Sequence, residues 1–193
     1  MEHQKSISKN KYTFKVISFF IISSIILAVI FGNELIKYLT PVSFALVITI
    51  ILITYFVYYL VRKKYKYNLI VININDFRSF DYRFLSTKIF DVFFQQLLVI
   101  SLINIGKMYG GNNYFLLSAS LFILLHLIIF FYNNLRVSIF FLILSIPASI
   151  IFISIHLYVG NISFGIGYFI HISFYLLLGL LDLKGNISKI IGQ

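Results

Sequence analysis

Six long runs of apolar residues, divided by short polar breaks, constrain this chain more than any other feature. They cover roughly residues 16–31, 42–61, 89–105, 114–131, 137–157 and 163–181. A helix needs about 20 apolar residues to cross a hydrocarbon core about 30 Å thick. Most runs approach that length, and the first and third borrow flanking residues. The breaks carry Gly32-Asn33, Thr40-Pro41, Gly110-Gly111-Asn112-Asn113, Asn133-Asn134 and Gly160-Asn161, residues that end helices and open turns. Pro147 lies inside the fifth run, where a membrane helix tolerates a kink. A membrane barrel would place polar residues at every second position instead. The expectation is an all-α integral membrane protein with about six transmembrane helices.

Charge placement orients it. The net charge is +10, but the basic residues sit at the ends of the apolar runs. That pattern fits membrane topology and anionic lipid headgroups, not nucleic acid. One side receives Lys5, Lys9, Lys11, Lys15, Arg62, Lys63, Lys64, Lys66, Arg78, Arg83, Lys88, Arg136, Lys184 and Lys189; the other receives only Lys37 and Lys107. Fourteen against two places both termini in the cytoplasm by the positive-inside rule. Charge placement thus predicts an integral membrane protein with membrane lipids as partners. The first run follows lysines and has no small-residue cleavage site after Ile30-Phe31, so it reads as an uncleaved span. Residues 62–88 mix basic and apolar positions, and read as an interface-lying element or a plain juxtamembrane loop. Tyr38, Tyr65, Tyr67, Tyr114, Tyr132 and Tyr158 flank the runs, as headgroup-level aromatics do.

The chain has no cysteine. That removes disulfides, thiolate metal sites and cysteine nucleophiles. No His-Glu-x-x-His occurs either, so the usual zinc-protease helix is missing. No metal and no cofactor is expected.

His126 and His171 then stand out, because an ionisable group in hydrocarbon is costly and is a functional candidate by default. At about 1.5 Å per helical residue, His126 lies roughly 18 Å below the outer end of the fourth run. Gln95 and Gln96 lie roughly 10 Å above the cytoplasmic end of the third. His171 is roughly 12 Å below the outer end of the sixth, with Tyr175 one turn deeper on the same face. Asp91 precedes Gln95 by four residues and shares its face. These depths converge from three runs. The bland alternative is polar glue, at about 0.6 kcal/mol per interhelical hydrogen bond. His156, at the outer end of the fifth run, reads as an ordinary interfacial residue.

The last four runs resemble the CPBP family of membrane proteases, which includes the CAAX-processing enzymes of the Ras-converting type. The family pattern is Glu-Glu-x-x-x-Arg, then Phe-x-x-x-His, then His-x-x-x-Asn on successive helices. Phe122 and His126 fit the second motif, and His171 with Tyr175 occupies the third, Tyr standing for Asn. In the first, Gln95-Gln96 replaces the glutamates and Ile100 replaces Arg. The resemblance covers residues 88–182. It implies a two-helix region at 1–87, a four-helix core at 88–182 and a cytoplasmic tail at 183–193.

The resemblance implies an intramembrane endopeptidase in which glutamate and histidine activate a water while the last-helix residues hold the oxyanion. Here His126 would be the base, Gln95, with Gln96 beside it in the site, would orient water, and His171 would donate to the oxyanion with help from Tyr175. Phe122 would support His126, and Asp91 would be its unusual acidic partner. A carboxamide cannot accept the proton that a general base must take. The second reading is therefore a non-catalytic relative that binds a membrane peptide or protein, as immunity and regulatory members do. A third is a small transporter subunit, given Pro147, Gly165 and Gly167.

Overall fold

The computed structural model describes residues 2–64, 82–127 and 135–182. These residues are helical, with short connecting turns. The helices are α1 (Glu2–Leu35), α2 (Pro41–Lys64), α3 (Tyr82–Tyr109), α4 (Tyr114–His126), α5 (Leu135–Tyr158) and α6 (Ser163–Asp182). Among the described residues, five segments are long and apolar enough to cross a bilayer: Thr13–Leu35, Pro41–Val61, Leu85–His126, Ser138–Tyr158 and Gly160–Leu178. The protein is thus all-helical and of membrane type. The Leu85–His126 segment contains α3, a single 3₁₀ turn at Gly111–Asn113, and α4. The 13 residues of α4 span only about 20 Å. Most of the expected element at 62–88, and the tail 183–193, lie outside the described residues.

Local chemistry explains the helix ends. Thr40 precedes Pro41, and its Oγ1 accepts from the Ser43 backbone N–H at 3.2 Å. This is an N-cap followed by proline at the first helical position. Gly160 turns the chain between α5 and α6 with φ +75°, a conformation glycine adopts without steric cost. α1 departs from helical geometry at Phe31 (φ −114°, ψ 17°). α5 runs through Pro147 for 24 residues. Ser145 and Ser149 donate to the Leu142 and Ile146 carbonyls nearby.

α3 starts earlier than hydropathy suggested, at Tyr82. The charges that mark the edge of the third apolar run, Lys88 and Asp91, pair with each other at spacing i, i+3. They lie within one helix and do not terminate it.

Two compact units emerge. The first comprises Met1–Ile26, Ala45–Phe94 and Tyr168–Gln193. Its buried side chains include Leu85, Ile89 and Val92 from α3, and Tyr168, Ile172 and Tyr175 from α6. The second comprises Leu27–Phe44 and Gln95–Gly167. Its core joins Val99, Leu102 and Ile103 of α3, Ala119 and Phe122 of α4, and Phe152 and Ile153 of α5. Within it α3 and α4 approach closely. A Cβ on Gly106 would clash with the Ser118 hydroxyl, which donates to the Leu102 and Tyr114 carbonyls.

Candidate functional site

Each unit holds its own buried polar set. In the second, the centre is His156, which is only 1% exposed. The expectation of an interfacial residue is corrected here. Position near the end of α5 suggested solvent, but the turn into α6 and neighbouring side chains enclose the ring. Its Nε2 lies 3.2 Å from Gln96 Oε1, and its Nδ1 lies 3.1 Å from Ser163 Oγ. In the neutral imidazole one nitrogen donates and the other accepts. The Gln96 carbonyl therefore fixes the proton on Nε2, and the Ser163 hydroxyl donates to Nδ1. Tyr38 meets the ring edge-on, with centroids 5.6 Å apart.

Backbone shape makes room for this. Gly167 sits on α6 where a Cβ would clash with Gln96 Oε1 and come within 3.6 Å of His156 Nε2. Ser163 opens α6 directly after the Gly160 turn. The same turn accepts two further bonds: Thr40 Oγ1 and Ser43 Oγ donate to the Asn161 carbonyl at 2.9 and 2.7 Å. The connection from α1 to α2 is thereby tied to that from α5 to α6. Burial, then the Glu34 carboxylate, holds the Tyr38 phenol above its usual value, against the opposing pull of Lys37.

His126 is half-buried on α4. Its Nδ1 lies 2.9 Å from the Phe122 carbonyl one turn earlier, so Nδ1–H donates there. The Phe122 and His126 rings lie 4.7 Å apart, and Phe122 packs on Phe152. The Phe-x-x-x-His spacing thus makes a local contact. Gln95 is half-buried beside the fully buried Gln96.

The first unit holds the charged set. Lys88 and Asp91 are 6% and 7% exposed, and Nζ to Oδ2 is 2.5 Å. Lys88 was expected among the cytoplasmic basic residues; it instead lies buried on α3 with Asp91, each neutralising the other. Lys88 Nζ also sits 4.3 Å from the Tyr175 ring centroid. Tyr175 stacks on His171 of the preceding turn at 5.4 Å and 15°. The Tyr168 hydroxyl donates to the Ile89 carbonyl at 3.2 Å.

Of the residues singled out in the sequence, the structure joins Phe122 to His126 and His171 to Tyr175. Gln96 bonds His156, which the sequence reading set aside. Gln95, Gln96 and His126 belong to one unit; Asp91, His171 and Tyr175 belong to the other. Lys88, His156, Ser163 and Tyr38 are the residues sequence reasoning left out of the site, and Gly167 serves to admit Gln96. A usable signal existed for two of them: His156 and Ser163 flank a Gly-Asn turn short enough to bring both to one helix junction. Among the described residues, no group of three or more metal-ligating side chains is close enough to hold an ion.

Compared with known proteins, the chain matches no family model, no curated protein and no solved structure.

Proposed function

We propose that this chain is a non-catalytic, CPBP-like membrane protein that binds a membrane peptide or protein partner. The observation that carries this reading is the Gln96–His156 hydrogen bond. A carboxamide stands where the resembled family has a glutamate, and it holds a buried histidine. It has no proton-accepting capacity at neutral pH, and a general base needs that capacity. Asp91, the other acidic candidate, is neutralised by Lys88. Both features favour a binding or regulatory role of the immunity type over hydrolysis.

In this reading the chain crosses a bacterial cytoplasmic membrane six times, with α4 completing a span and both termini cytoplasmic. The natural absence of cysteine allows a direct topology test. Single cysteines at Lys107 and Lys63 should react with an impermeant maleimide from the outside and the inside respectively.

The functional test is hydrolysis of a prenylated CAAX peptide by purified protein in liposomes. Turnover should not exceed that of empty liposomes. Wild-type cleavage that His126→Ala abolishes would establish an enzyme and overturn the proposal.

A further inference from the structure

The segment that joins α1 to α2 lies against the buried Gln96–His156–Ser163 line. Tyr38 places its ring edge-on to the imidazole. Thr40, Ser43 and Asn161 belong to the same second unit as these residues. The attachment is narrow. Thr40 Oγ1 and Ser43 Oγ both donate to one acceptor, the Asn161 carbonyl, which thereby uses both lone pairs. Beside these points the segment faces outward: Ile36 is 69% exposed, and Lys37 pairs with Glu34 at the surface.

The approach to this segment is shaped to bend. Phe31 leaves helical geometry (φ −114°, ψ 17°), and Gly32 next to it has open space where a Cβ would stand. Over Thr13–Leu35, Leu35 alone is buried. Hinges are a few element-terminal residues that absorb changes in φ and ψ. Stretches with few buried side chains open at free energies well below that of global unfolding. Opening here would release the Asn161 carbonyl and remove Tyr38 from the His156 ring. Three polar groups at one helix junction would then meet water together.

We propose that residues 36–43 form a strap, hinged at Phe31–Gly32, whose release from Asn161 exposes His156 and Ser163 to the aqueous phase while the core of the second unit stays folded. The strap then controls access to this polar set, whatever partner the chain binds.

The chain has no cysteine, so a single introduced thiol reports on one position. Ser163→Cys places it beneath the strap. Ile103→Cys places it in the core of the same unit, where Ile103 is fully buried. Each protein is reacted in detergent with a water-soluble maleimide. Thr40→Val/Ser43→Ala removes both bonds to Asn161. It should speed labelling of Ser163→Cys by about tenfold or more, since each hydrogen bond lost shifts the opening equilibrium by roughly fivefold. The Ile103→Cys rate should stay unchanged. Ser43→Ala alone leaves the α2 cap intact and should give about fivefold, a reading that does not depend on the double variant folding. Equal acceleration at both thiols overturns the proposal, because the unit then loosens as a whole. So does a Ser163→Cys rate that neither strap variant changes.

Discussion

Gln96 Oε1 and His156 Nε2, 60 residues apart in sequence, are 3.2 Å apart and both buried. The bond links α3 to α5, and its other end reaches α6 through Ser163. One hydrogen-bonded line thus runs across three helices of the second unit.

Removing one end of that line should cost more than the bond is worth. Gln96→Leu leaves the His156 N–H without its acceptor, a loss of about 1–3 kcal/mol. His156→Leu strands the Gln96 carbonyl similarly. The double variant should recover part of the sum, with a coupling near the average interhelical value of about 0.6 kcal/mol or above. Reversible unfolding in detergent measures all three, and strict additivity would mean the contact carries no energy.

Gly167 and Gly32 should respond oppositely to alanine. At Gly167 a new Cβ collides with the Gln96 side chain, so Gly167→Ala should destabilise by about 1–3 kcal/mol. Pairing it with Gln96→Ala should relieve the clash. At Gly32 nothing lies within 4 Å of the added Cβ. Gly32→Ala should stabilise by about 0.5–1 kcal/mol, since glycine is a poor helix residue. Equal melting shifts for the two would contradict the packing described.

Tyr38 gives a pH signature. Its phenol is held above the usual 10.0 by burial and Glu34. Above pH 10 the unfolded chain releases this proton before the folded one does. Stability is therefore fully present below pH 10 and falls as pH rises through the folded value. Tyr38→Phe should show a shallower loss of stability as pH rises above 10. Parallel curves for the two proteins would remove Tyr38 from the balance.

Thr40 has two jobs, capping α2 and bonding Asn161. Thr40→Ala should cost about 0.5–2 kcal/mol from the cap, while Thr40→Ser should retain both bonds. Thermal denaturation of the pair decides this, and an alanine variant as stable as the serine one would count against the cap.

The Lys88–Asp91 pair should be intolerant of half-removal. Asp91→Leu leaves a buried ammonium without its carboxylate, a loss of about 3–5 kcal/mol. Lys88→Met/Asp91→Leu together should regain most of it. Chemical unfolding in nanodiscs compares them, and a double variant no better than Asp91→Leu would show that the pair is not a unit.

The helices were legible in the sequence because apolar length alone demands them. The site was less so. His126 and His171 were visible as ionisable residues among apolar ones, but what they touch was not. Lys88 and Asp91 looked like the edge of a span, because hydropathy scores each charge separately and cannot register that i and i+3 neutralise each other. His156 looked interfacial because it lies near a helix end, and only the path of the α5–α6 turn encloses it.

By itself, the sequence determined an all-helical membrane protein, the turns at Thr40-Pro41, Gly110 to Asn113 and Gly160-Asn161, and that Gln95 and Gln96 bring amides instead of acids. Those properties follow from residue type and local spacing. Tertiary structure alone decided that Gln96 is spent on His156, that Gly167 admits it, and that Lys88, paired with Asp91, lies against Tyr175 of the His171 helix. Such pairings depend on the rotation and depth of helices distant in sequence. These are set by close packing of whole surfaces, which no local pattern encodes.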